Sequence, residues 1–167
     1  MRTKATEALK LLRVLDLSQG VAGSYCTKLM SGFGAEVIKI ELPGQGDSIR
    51  SMAPFWKDEP HLETGCLHLH LSTGKKSITL DITQPSGAEQ FRKLVTHAHA
   101  VVESFPPGFM EEHGLGFEAL RELNSALVMT SITPFGQTGP YRDWKANELV
   151  SYALGGYAHL TGLPERE

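Results

Sequence analysis

Five short apolar runs, each stopping at a polar loop rich in glycine or proline, constrain this chain more than any other feature. They are Leu11–Leu17 ending at Ser18, Gln19 and Gly20; Ala35–Glu41 ending at Pro43 and Gly44; Lys76–Ile82, closed before Pro85; Ala100–Val102 running into Glu103-Ser-Phe-Pro-Pro-Gly108; and Ala126–Ile132 running into Thr133-Pro-Phe-Gly-Gln-Thr-Gly-Pro140. Helical spacing fills the intervals. Val21, Tyr25, Leu29 and Met30 follow the first run, and Ala88, Phe91, Leu94 and Val95 share one face behind Pro85. Two short helical patterns broken at Gly114-Leu-Gly116 lie between Phe109 and Leu123, and a last one covers Asn147 to Leu160 despite Gly155 and Gly156. Strands alternating with helices predict an α/β fold with a doubly wound, mainly parallel sheet and right-handed crossovers. Ligands of such sheets lie in the crevice beyond the carboxyl ends of the strands, because helices cover both faces and leave that edge open.

Between Pro43 and Thr73 the periodicity is lost, and glycine, proline, aspartate and the aromatics Phe55 and Trp56 predict a long surface excursion. With 167 residues, 41% of them hydrophobic, the chain can bury one core and is too short for two large domains. Its 16 basic and 19 acidic residues are interspersed, which argues against a nucleic-acid or anionic-membrane footprint. No apolar stretch approaches the about 18 residues of a membrane span, and Met1–Glu7 lack the apolar core of a signal. Cys26 and Cys66 form no disulfide framework or CxxC pair, so the expected compartment is the cytoplasm.

Single motifs are weak. Ser18-Gln-Gly-Val-Ala-Gly23 sets glycines where a helix begins, so backbone N–H groups could face an anion; a tight turn needs the same residues. It matches neither a dinucleotide fingerprint nor a P-loop. His68-Leu-His70 and His97-Ala-His99 would each put two rings on one strand face, yet no third ligand is apparent, and no metal is expected. Ser104 stands outside any nucleophile-elbow context. Arg50, Lys75, Lys76 and Lys145 sit in loops flanking the predicted crevice, where they could neutralise phosphates or simply be solvated.

Taken in order, Val14-Leu-Asp-Leu-Ser18, Gly32-Phe-Gly-Ala-Glu-Val-Ile-Lys-Ile-Glu41, Pro43-Gly44 with Gly46-Asp47, Gly74-Lys-Lys-Ser-Ile-Thr-Leu-Asp81, Val101-Val-Glu-Ser-Phe-Pro-Pro-Gly108, Gly114-Leu-Gly116, Phe135-Gly-Gln-Thr-Gly-Pro-Tyr141 and Leu160-Thr-Gly162 closely resemble the class III coenzyme A transferases, which include formyl-CoA and carnitine CoA-transferases. The resemblance implies a Rossmann-like large domain binding coenzyme A, acyl-CoA and carboxylic acid substrates, and a homodimer of interlocked full-length chains. It places Val21 and Ala22 after the first strand, Lys75 and Leu80 around the third, Ser104, Phe105 and Pro106 after the fourth, and Lys145 and Asn147 after the fifth along the coenzyme A groove.

The same resemblance implies an aspartate nucleophile that attacks the acyl-CoA thioester and passes through an aspartyl-CoA intermediate. That aspartate is expected beyond Glu167, together with a small domain and a return segment. The expectation is therefore the N-terminal, coenzyme-binding part of a transferase, inactive in isolation. A binding module without chemistry and an acyl-CoA racemase are the alternatives; the racemase branch carries a histidine base in Gly-His-Asp where this chain has Ala146-Asn-Glu148, and an amide cannot abstract a proton. Two further positions depart from the family pattern: Leu42 stands where many members have an arginine, and Ser104 where they have asparagine.

Overall fold

The computed structural model describes residues 7–162. Five strands, β1 (Arg13–Asp16), β2 (Glu36–Glu41), β3 (Lys76–Thr79), β4 (Ala100–Glu103) and β5 (Val128–Ser131), form one sheet in the order β3-β2-β1-β4-β5, with every pairing parallel. The doubly wound α/β architecture is as the alternating runs predict. Successive side chains of a strand point to opposite faces; β1, β2 and β4 are buried on both, whereas the edge strand β3 is exposed along its length and β5 is only partly buried. Leu15, Ile40 and Val101 join Phe91, Val95 and Leu120 in one core, while Val14, Val37 and Val102 join Ala35 in a second. Burial on both sides explains why β1, β2 and β4 read as nearly continuous apolar runs.

Helix α1 (Val21–Gly32) contacts β1, β2 and β4. Helix α3 (Pro85–Val95) starts with proline at its first turn, where no amide hydrogen is needed, and it buries Ala88, Phe91 and Val95. It packs against α5 (Phe117–Leu123), which follows the single turn α4 (Phe109–Glu112). Asn124 holds the turn into β5 by donating from Nδ2 to the carbonyls of Val95 and Ala98 at 2.9 and 2.7 Å.

Two expectations change. The 43–73 excursion carries 3-10 turns at Ser48–Ser51 and Trp56–Asp58 and the helix α2 (Cys66–Leu71), whose six residues are too short to show a helical period. The single helix expected over 147–160 divides into α6 (Glu148–Leu154) and α7 (Tyr157–Leu160), because Gly156 takes a left-handed conformation, φ 82°, between them.

Chain direction reverses in the middle of the sheet. From β1 the chain winds outward through β2 to β3, then returns to the other side of β1 for β4 and β5. The loops after β1 and β4 therefore diverge, and a crevice opens where they part.

Candidate functional site: the crevice at the switch point

The two diverging loops are stapled at one point. The Ser104 hydroxyl accepts from the Gln19 N–H at 2.8 Å and donates to the Gln19 carbonyl at 3.2 Å. A cleft lies on either side of this staple. Leu17, Gln19, Leu42, Leu80, Phe105 and Phe109 line the one beyond β1, β2 and β3, about 280 Å³ in volume. The other, about 480 Å³, lies beyond β4 and β5, where Phe105, Pro106, Thr133, Arg142, Trp144 and Lys145 line it. Phe105 is shared by both and is held by stacking on Phe109 with ring centroids 4.4 Å apart. Phe109 in turn lies 4.4 Å from the His113 ring. A flat aromatic wall between two mainly apolar clefts suits an elongated, partly apolar ligand.

Beneath the β1–α1 loop lies a buried ionic quartet. Asp16 accepts from Ser18 N and Oγ at 3.0 and 2.6 Å, from Thr27 Oγ1 at 2.6 Å and from Lys75 Nζ at 2.9 Å. Lys39 donates to Asp47 at 2.8 Å and to the Ser18 carbonyl, and its Nζ lies 3.7 Å from Asp16. Asp47 then accepts from Gly20 N at 2.9 Å. Two carboxylates and two ammoniums cancel, and each is supplied with further hydrogen bonds, which a buried charge requires. Burial alone would raise the Asp16 carboxyl, but Lys39 and Lys75 hold it below its ordinary value. Burial lowers the Lys75 ammonium, and Asp16 opposes that shift. Gly23 completes the arrangement, since a Cβ there would collide with the Ser18 side chain.

A second network ties the 43–73 excursion to the end of β2. Arg50 grips Glu41 bidentately at 2.7 and 2.8 Å and reaches Glu63 at 2.7 Å, while Glu41 also accepts from Asp47 N and Ser77 Oγ. Burial would raise the Glu41 carboxyl, yet Arg50 and these donors bring it down to about 2. Glu103 at the end of β4 is the opposite case. It has no cationic partner among the described residues, and burial raises its carboxyl despite the Phe105 N–H donated to it at 2.7 Å.

The expected groove residues occupy three kinds of place. Leu80, Ser104, Phe105, Pro106 and Lys145 line the two clefts. Val21 and Ala22 are exposed at the start of α1 but line neither cleft. Lys75 is drawn under α1 by Asp16, with its side chain 1% exposed, and Asn147 caps α6 by accepting from Val150 N at 3.0 Å. Leu42 stands half-exposed in the smaller cleft. The histidine pairs do not behave as strand pairs. His68 and His70 lie on α2, where residues two apart point in different directions; His68 is buried and bonded to Ser72, while His70 meets Lys28. His99 accepts from Arg13 N at 3.0 Å. Among the described residues no group of three or more histidine, cysteine or acidic side chains is placed to hold a metal.

Asp16 and Lys39 were missed by reading strands as apolar, and Asp47 by reading the stretch after β2 as a surface excursion. The available signal was a charged residue inside a buried run, Lys39 in Val37-Ile-Lys-Ile-Glu41 and Asp16 before Ser18, since such a residue must find a partner.

A doubly wound sheet with a bipartite crevice at its switch point places the chain among the open α/β proteins, whose ligands lie beyond the carboxyl ends of the strands. Within that class, the profile described as CoA-transferase family III matches residues 9–167, and the chain belongs to this family. It is 43% identical over 155 residues to succinyl-CoA--D-citramalate CoA-transferase of Chloroflexus aurantiacus, covering 93% of this chain and 38% of that protein. It is 39% identical over 160 residues to formyl-CoA:oxalate CoA-transferase of Rhodopseudomonas palustris, covering 96% and 36%. The solved structure of a CAIB/BAIF family protein from Brucella suis superposes with a TM-score of 0.86 at 35% identity, over 95% of this chain and 42% of that one. The chain thus spans about two fifths of the length of these relatives.

Proposed function

We propose that these residues are the coenzyme-binding part of the large domain of a transferase that moves coenzyme A between an acyl-CoA and a carboxylic acid. The observation that carries this reading is the meeting of Leu80, Ser104, Phe105, Pro106 and Lys145, from three separate loops, around the two clefts that share Phe105. Relatives named for succinyl-CoA and formyl-CoA support small carboxylates as the substrate class. On this reading Phe105 packs the ligand, Lys145 at the exposed rim meets its negative charge, and the Ser104 staple holds the loops at a fixed separation.

The chemical step of the whole enzyme is then a double exchange. An aspartate carboxylate lying outside residues 1–167 attacks the thioester carbon and expels coenzyme A thiolate, leaving a mixed anhydride. The thiolate attacks the aspartyl carbonyl and releases the donor acid, and the acceptor acid repeats both steps in reverse order. The full-length protein is proposed to act as a homodimer.

Calorimetric titration of the 167-residue chain with coenzyme A tests the reading directly. Binding is expected, and Lys145→Ala should weaken it about ten-fold, the loss of one charge-assisted contact. No heat of binding in the unaltered chain would overturn the coenzyme-binding assignment. Incubation with succinyl-CoA and an acceptor acid should give no turnover; acyl transfer by these residues alone would overturn the placement of the nucleophile outside them.

A further inference from the structure

We infer that Asp47 is a specificity-determining residue: its carboxylate occupies the oxyanion position at the start of α1 and so keeps the phosphates of a nucleotide, or any free oxyanion, out of that turn. In a doubly wound sheet the turn from the first strand into its helix is where a dinucleotide's pyrophosphate rests, met by backbone N–H groups and the positive end of the helix. Here that position is filled from within the chain. Asp47 Oδ1 accepts from Gly20 N at 2.9 Å, and Oδ2 accepts from Ser24 Oγ at 3.3 Å and from Lys39 Nζ at 2.8 Å. Helix α1 has neither a side-chain cap of its own nor an acidic residue in its first turn, so Asp47 brings the negative charge that its N-terminus favours. The inference concerns which ligands are refused and stands apart from the coenzyme reading.

Capping alone does not account for the carboxylate. Asp47 also caps the 3-10 turn Ser48–Ser51 by accepting from Ile49 N at 3.2 Å, but that task needs one oxygen and no cation. The other donors lie 27 and 23 residues earlier in the chain and on the ammonium of Lys39, whose side chain is 3% exposed. The inward face of α1 suits the same end: its buried residues are Gly23, Ser24 and Thr27, small or polar, while Val21, Tyr25 and Leu29 are about half exposed. Space for a ligand borders the position. Gln19 and Gly46, the chain neighbours of Gly20 and Asp47, line the 280 Å³ cleft, and a Cβ on Gly20 would meet nothing within 4 Å. Without the Asp47 carboxylate, one carboxylate and two ammoniums would remain in the buried quartet, a net positive charge that an oxyanion from solvent can balance.

Chemical rescue of Asp47→Gly in the 167-residue chain tests the inference, with inorganic phosphate and formate as probes and Asp47→Asn as the variant that keeps the space filled. Asp47→Gly should melt below the parent protein and regain stability saturably with either anion, by about 4 °C at ten times the dissociation constant. Phosphate should also slow exchange of the Gly20 amide hydrogen in this variant, which locates the bound anion. The parent protein and Asp47→Asn should show neither saturable response. Lys39→Met in the Asp47→Gly background should abolish both, since the ammonium and its need for a partner go together. A merely structural carboxylate would leave Asp47→Gly destabilised and indifferent to either anion, and that result would overturn the inference. So would equal stabilisation of the parent and every variant by phosphate, the general effect of an excluded salt. Rescue by formate alone would reveal a hole too small for phosphate and overturn the exclusion of nucleotides. Where Asp47→Gly does not fold in chloride, refolding in phosphate to the parent's circular dichroism sustains the inference, and failure in both anions overturns it.

Discussion

Glu41 and Glu103 are both glutamates buried at the carboxyl ends of strands, and their surroundings send them in opposite directions. Glu41 receives a bidentate guanidinium and two further donors, and its carboxyl falls from the ordinary 4.5 to about 2. A carboxyl depressed in the folded state stabilises it above the unfolded pKa, and that stability is lost as pH falls through the folded value. The contribution is on the order of 3 kcal/mol. Urea denaturation should therefore show Glu41→Gln destabilised by about that amount at pH 7, with the gap to the parent protein closing between about pH 4.5 and 2. Glu103 has its carboxyl raised by burial, so the stability linked to it is complete below the unfolded pKa and declines as pH rises through the folded value. Glu103→Gln, which can still accept from Phe105 N, should be neutral or stabilising at pH 8 in the same assay. A large loss there would show that the charge itself is needed.

At the scale of elements, the loop after β1 is held by three devices: the Ser104 staple, the Asp47 bond to Gly20, and the absence of a Cβ at Gly23. Removing the staple with Ser104→Ala should speed hydrogen exchange of the Gln19 amide and cost about 1 kcal/mol. Gly23→Ala should cost more, about 2 kcal/mol or above, because the start of α1 must move away from β1; thermal melting reads the difference. The strands were legible within one to three residues. Leu11–Leu17 became Arg13–Asp16, and Lys76–Ile82 shortened to Lys76–Thr79 because Asp81 turns the chain by accepting from Thr83 N. Helix α2 was illegible, since six residues give less than two turns of period and His68-Leu-His70 alternates as a strand would. Of the crevice, the positions at strand ends were readable from where apolar runs stop. The fate of Lys75 was not, because its partner Asp16 lies 59 residues away in sequence.

The whole molecule presents a sheet whose central strands β1, β2 and β4 are buried and whose edges are open. Leu149, Leu154, Tyr157 and Leu160 of α6 and α7 are all more than half exposed, as is Val128 on the outer strand β5. So large an exposed apolar surface drives association in water. Sedimentation velocity should show the 167-residue chain self-associating, and Leu154→Glu with Leu160→Glu should shift it toward monomer; a monodisperse monomeric parent protein would refute this. The quartet of Asp16, Lys39, Asp47 and Lys75 draws one member each from β1, β2, the excursion after β2 and the approach to β3. Grafting residues 43–73 from a relative that lacks an acid at position 47 would strand an ammonium in the interior, so this segment can be exchanged between homologues only as a set with the strands it grips.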